Sequence, residues 1–186
     1  MIKPTAQSFP SIEDLEVTHV DEMALDMSTR CVGWAVGVDR DLTLYGKYVF
    51  KSTAEISEKL LAFSLWLNDM LETFTPKRLL VERPLSRRAT TTARHYELMG
   101  VVRTCWYSYS GKELAKAWII SPTTVKSKLG VERGGDHDAN KQIMVDKVNR
   151  LFSLDLAYSP HSAYKSDDDI ADAIGLLETY WRLVKN

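Results

Sequence analysis

The sequence has only two cysteines, Cys31 and Cys105, far apart and without metal-ligand spacing. That excludes a disulfide framework and a zinc knuckle and suits a reducing compartment. Each is expected to be a small core residue. No apolar run approaches the length needed to span a bilayer. The first residues, M-I-K-P-T-A-Q-S-F-P, carry no hydrophobic signal core, and acids follow them. Neither a secretory leader nor a transit peptide fits, so the expected location is the cytoplasm. There is no internal repeat and no low-complexity segment. Nor is there an excess of positive charge: 24 Lys and Arg against 25 Asp and Glu give a net charge of −1. That weighs against nucleic acid as a partner.

What is present qualifies the last point, because the charge is segregated. Residues 12 to 26 are acidic, as is Asp167 to Asp172. Basic residues gather at Lys77, Arg78, Arg83, Arg87, Arg88 and Arg94, and again at Lys126, Lys128, Arg133 and Lys141. Such a pattern can carry a basic groove on a neutral protein. At 186 residues, with five Trp and eight Tyr, the chain can bury one good core and is short for two domains. Residues 1–21, polar and carrying Pro4 and Pro10, read as an N-terminal extension with a short helix at Ser11 to Leu15. Residues 22–186 read as the folded domain.

Met23 to Asp26, Cys31 to Val38 and Leu42 to Phe50 read as three strands, with Asp39 to Asp41 as a turn, giving an antiparallel meander. From Thr53 to Phe74 the period changes: Ile56, Leu60, Phe63, Leu67, Met70 and Phe74 recur at helical spacing, with Ser52 or Thr53 as cap. Arg78 to Val81 is a buried strand ending at Glu82. A helix from about Arg88 to Tyr109 carries two apolar stripes, one with Leu98, Val101 and Cys105, the other with His95, Met99, Val102, Trp106 and Tyr109. Two stripes predict burial on both sides, by the core and by a second subunit. Ala117 to Ile120 reads as a short strand. Ser121-Pro122 starts a helix to Leu129, and another runs from about Ala139 to Phe152. The last helix opens at Ser166 as cap, with a buried stripe of Ile170, Ala173, Ile174, Leu177, Trp181 and Val184. The order predicts an α/β fold: a mixed sheet flanked by helices.

Two acids end strands, Asp26 and Glu82. If those strands are parallel neighbours, both carboxylates lie at one edge of the sheet. Asp169 and Asp172 are three apart on a helix and share a face; Asp168 and Asp172, four apart, share one as well, so the acid run permits either register. Asp172 borders the buried stripe, where a carboxylate is costly to desolvate without a partner. Several acids without matching bases point to a hard divalent cation such as Mg²⁺ or Mn²⁺. Two such ions about 4 Å apart clamp the attacking and leaving oxygens of a phosphodiester.

In these residues the chain resembles the RuvC-type Holliday junction resolvases of the RNase H-like superfamily, over roughly residues 22 to 184. The pieces are L-D-M-S-T-R-C-V-G-W-A-V, L-L-V-E-R-P, S-P-T-T-V-K-S-K-L-G, A-N-K-Q-I-M-V and D-I-A-D-A-I-G-L-L. The resemblance implies an RNase H-like sheet and a homodimer that nicks four-way DNA junctions with two Mg²⁺ or Mn²⁺ ions per site. It puts the metal-binding acids at Asp26, Glu82, Asp169 and Asp172 and the basic residues near the scissile phosphate at Lys126 and Lys141. Arg83, Arg87, Arg88, Arg94 and Lys128 are the further candidates for holding DNA phosphates. The chain departs from the family in two places: Met27-Ser28 stand where a Gly is common after the first Asp, and Pro84-Leu85 where an aromatic often follows the Glu. The competing readings are an RNase H-like nuclease on other branched DNA or an RNA–DNA hybrid, and a non-catalytic junction-binding protein. An actin-like kinase half is excluded, since the chain has no room for a second domain or Gly-rich phosphate loops.

Overall fold

The computed structural model describes residues 19–84, 89–131, 136–160, 162 and 165–185, with backbone alone at 89–91. The expected helix at Ser11 to Leu15, and Arg87, Arg88 and Arg133, lie outside the described residues.

Three strands open the fold: β1 (Glu22–Met27), β2 (Cys31–Val38) and β3 (Asp41–Val49). They pair antiparallel, as expected of a meander. After α1 (Ile56–Phe74), strand β4 (Arg78–Glu82) pairs parallel with β1, with Leu25 opposite Val81. Helix α2 (Ala89–Ser110) then leads to β5 (Ile119–Ile120), parallel to β4. Helices α3 (Pro122–Leu129), α4 (His137–Phe152) and α5 (Asp168–Val184) complete the chain. The five-stranded sheet has the order β3-β2-β1-β4-β5, so β1, bearing Asp26, is its central strand.

Alternation along the strands sorts two cores. Met23, Leu25, Val32, Trp34, Val36, Leu79 and Val81 face α1 and α2. Ala24, Ala35, Leu80 and Ile120 face α3, α4 and α5. The second set is small near the middle, and that lets α5 lie close against the sheet.

Four local readings are corrected. The cap of α1 is Glu55, whose N–H donates to the Glu58 carboxylate at 2.9 Å, because the chain at Ser52 and Thr53 is still turning. The expected strand Ala117–Ile120 is a single 3₁₀ turn, Lys116–Trp118, and a two-residue strand. The residue preceding α5 is Asp167, not Ser166. Finally, both stripes of α2 serve one core: Leu98, Met99, Val102, Cys105 and Trp106 are all buried within the chain, with Val101 and Tyr109 packed beside them. The face left to solvent carries Tyr96 and Tyr107, each 60% exposed. Among the described residues no helix is long and apolar enough to cross a membrane.

Candidate metal centre

The register of the sheet builds the centre. Asp26 on β1 is paired with Gly33 on β2, and Gly33 with Lys47 on β3. Laterally paired residues point to the same face, so Lys47, Gly33 and Asp26 form one row beneath the start of α5. One step beyond the Leu25–Val81 pair, Glu82 continues the row on β4, where it is paired with Ile120 of β5. Because β1 and β4 are parallel neighbours, their terminal acids share one edge, as expected. Helix α5 then lowers its first turn onto the row. A methyl group at Gly33 would lie 1.9 Å from the Asp169 carbonyl oxygen, so only glycine admits this approach.

The four acids sense one another. Burial pushes the Asp26 carboxyl well above its ordinary range, and Glu82, Asp172 and Asp169 push it further, against Lys141. Burial and then Asp172 raise Glu82 to about 8, with Lys126 opposing. Asp172 rises to about 7 by burial, with Lys141 and Lys126 opposing and Asp169 and Asp168 adding. Asp169 is raised by burial, moderated by a hydrogen bond from the Cys31 thiol. Each of the four keeps part of its surface open to solvent. The acids therefore line the floor of an open site that is short of positive charge.

Asp168, one residue away, behaves in the opposite way. Its carboxylate receives the Lys141 ammonium and the Ser166 hydroxyl. These bonds outweigh burial and hold its pKa below the ordinary value. Asp168 is thus satisfied by a lysine, while Asp169 faces the other acids.

Lys126 and Lys141 both reach the cluster, the former in the field of Glu82 and Asp172, the latter in that of Asp26, Asp169 and Asp172. The described arginines and lysine named for gripping DNA, Arg83, Arg94 and Lys128, are placed differently. Arg83 is exposed, and its backbone N–H joins the Ile120 carbonyl at 2.8 Å. Arg94 pairs with Glu97 one helical turn on. Lys128 is exposed on α3.

Two residues of the centre went unread in the sequence. Cys31 is buried, as a core residue should be, but its thiol donates to Asp169 Oδ2 at 2.8 Å, and burial beside that acid raises the thiol to about 12. The side chain of Lys47 is 6% exposed and donates to the Ser166 carbonyl at 2.6 Å. A lysine in a strand ordinarily signals the solvent face, and nothing local marks this one as covered. The Met27-Ser28 departure also finds its reason. Ser28 Oγ accepts from the N–H groups of Arg30 and Cys31 and donates to the Cys31 carbonyl, closing the turn by side-chain bonds. No residue of that turn needs a positive φ, so glycine is dispensable there.

The donor set suits a hard divalent ion: half-buried carboxylate oxygens with too little compensating charge. As the side chains stand, no three His, Cys, Asp or Glu among the described residues converge on one ion position.

A stability test follows. Asp172 and Glu82 titrate in the unfolded chain near 3.8 and 4.5, and in the fold near 7 and 8. Below the lower values both states are protonated at these acids and nothing is lost. As pH rises, the unfolded chain releases protons first, so stability declines until the folded values are passed. Half-buried His95, whose pKa is lowered by desolvation, works weakly the other way. The melting temperature in EDTA is therefore expected to fall between about pH 5.5 and about pH 8.5, and millimolar Mn²⁺ should narrow the difference. A flat profile in EDTA would contradict the crowded-acid geometry.

No protein-family model matches the sequence, and no curated protein sequence matches it. The fold is more informative. The mixed sheet in this order, with helices on both faces, is an RNase H-like fold of the kind seen in RuvC. The structure is similar to Thermus thermophilus RuvC in complex with a Holliday junction substrate, with a TM-score of 0.64 at 16% identity over 88% of this chain and 94% of that one. It is similar to another Thermus thermophilus RuvC structure, with a TM-score of 0.62 at 16% identity over 88% of this chain and 96% of that one. For the yeast mitochondrial Holliday junction resolvase Ydc2 the TM-score is 0.59 at 15% identity, over 92% and 81%.

Proposed function

We propose that this chain is a structure-selective endodeoxyribonuclease that resolves four-way DNA junctions. One observation carries the reading: on a RuvC-type fold, the ends of two adjacent parallel strands and one helix turn bring Glu82, Asp169 and Asp172 within the field of Asp26. Those four would hold two Mg²⁺ or Mn²⁺ ions, which would supply the charge that activates water and stabilises the leaving 3′ oxygen in phosphodiester hydrolysis. Holding them requires the carboxylates to turn toward one another from their present positions. Lys126 and Lys141 flank the acids and offset charge on the phosphate as it is attacked. Arg83, Arg87, Arg88, Arg94 and Lys128 are proposed to grip backbone phosphates, which position the junction without reading sequence.

Two opposed nicks require two active sites, so the working unit is proposed to be a homodimer. With both apolar stripes of α2 consumed inside the chain, the face available for pairing is the outer one bearing Tyr96, Gly100, Arg103 and Tyr107. The test is nicking of synthetic substrates at equal salt: a four-way junction, a three-way junction and an RNA–DNA hybrid, in Mg²⁺, with Ca²⁺ as a binding-only control. Preferential nicking of the four-way junction is expected. Preferential cutting of the hybrid would replace this reading with the RNase H one, and binding without cleavage would make the protein a junction binder.

A further inference from the structure

Three consecutive acids, Asp167, Asp168 and Asp169, precede and open α5, and by residue type each could serve the metal centre. The fold gives each a different neighbour. Asp169 accepts the Cys31 thiol and faces Asp26. Asp168 takes Lys141 and Ser166. Asp167 lies 3.6 Å from the Lys47 ammonium, and its other oxygen accepts the Ala157 N–H at 3.1 Å.

Of these neighbours, Lys47 alone both touches the chain before the helix and stands in the sheet row that contains Asp26. Its ammonium binds the Ser166 carbonyl at 2.6 Å, the last peptide before the acid run, and its side chain is almost fully covered. Burying a lysine is costly unless its charge is matched. Here it is matched by a carbonyl, by Asp167 and by the field of Asp169. Next to it in the row, Gly33 leaves the gap into which the Asp169 carbonyl drops. Lys47 pins the residue before the run, and Gly33 admits the residue at its end. A shift of one residue along the helix would break both.

We propose that Lys47 is a positioning residue for the metal centre: by anchoring Ser166 and Asp167 to β3 it sets the register of α5, so that Asp169, and not Asp167 or Asp168, joins Asp172 at the ions. The inference rests on the metal-site reading and names which acid of the run serves it and what selects that acid. Lys47 acts through the helix start and touches neither metal nor DNA.

The test is Mn²⁺ binding by the full chain, followed by the paramagnetic resonance of free Mn²⁺ and by calorimetry, at a temperature well below the melting point. Lys47→Met is expected to weaken Mn²⁺ binding by about tenfold or more, the usual scale for groups that orient ligands. Lys47→Arg, which keeps the charge and the donors, should recover most of that loss. Lys47→Gln is shorter and uncharged; it carries the same expectation as Met and covers the case in which Met does not fold. A purely structural lysine would lower the melting temperature and leave Mn²⁺ affinity unchanged. If the wild type binds Mn²⁺ and the Met and Gln variants bind it equally well, the inference is overturned and the metal-site reading stands. If the wild type binds no Mn²⁺, the metal-site reading itself falls.

Discussion

Asp26→Asn is expected to abolish junction cleavage, lowering the rate by on the order of 10²–10³-fold or more, the scale of removing one central electrostatic group. Junction binding in Ca²⁺ should survive. The reason is position. Asp26 lies on the central strand, and Glu82, Asp172 and Asp169 all press on its carboxyl. An amide keeps the shape and removes the charge. The same change should raise the stability of the metal-free protein at alkaline pH, because it relieves a repulsion that the fold must otherwise bear. Loss of cleavage with a gain in melting temperature is the signature of a site built for charge to be added. Loss of binding together with cleavage would count against a purely catalytic role for Asp26.

Gly33→Ala is expected to be nearly as damaging, though Gly33 carries no chemistry. Its added methyl would stand 1.9 Å from the Asp169 carbonyl oxygen and 2.9 Å from the Ile170 nitrogen. Both are backbone atoms of α5 and cannot rotate away. The helix start must lift by at least about 1 Å to restore an acceptable contact, and overpacking of this kind costs about 1–3 kcal/mol. The larger loss is catalytic: misplacing a reacting group by about 1 Å can cost 10²-fold. The measurement is a pair, melting temperature and junction nicking. A variant that loses a few degrees but nearly all of its nicking fits the geometry. A variant with unchanged nicking would mean that the seat of α5 on β2 does not matter to the site.

The periodicities were legible because they are local. The apolar run in Cys31–Val38 and the three-four spacing from Ile56 to Phe74 each record one element's burial, and the helix start at Ser121-Pro122 stands as expected, with Ser121 Oγ accepting the Thr124 N–H at 3.1 Å. The strand-end positions of Asp26 and Glu82 were legible for the same reason. Two features were misread because periodicity is silent about what covers a face. The two stripes of α2 looked like two partners and are one broad contact with a single core. Cys31 looked apolar and binds an acid. Lys47 went unread for the same reason, since nothing near it in the sequence shows that α5 covers it.

By itself, then, the sequence determined the elements, their order, and a stock of acids at strand ends and on the last helix. Those follow from near-neighbour physics: side-chain period, turn chemistry and the cost of burying charge. The tertiary structure alone decided the row Lys47–Gly33–Asp26, the seat of α5 upon it, and the division of labour within Asp167, Asp168 and Asp169. The acids of that run are chemically identical. Only strand register and the depth at which a helix can pack against a glycine separate the one that meets Lys141 from the one that meets Asp26.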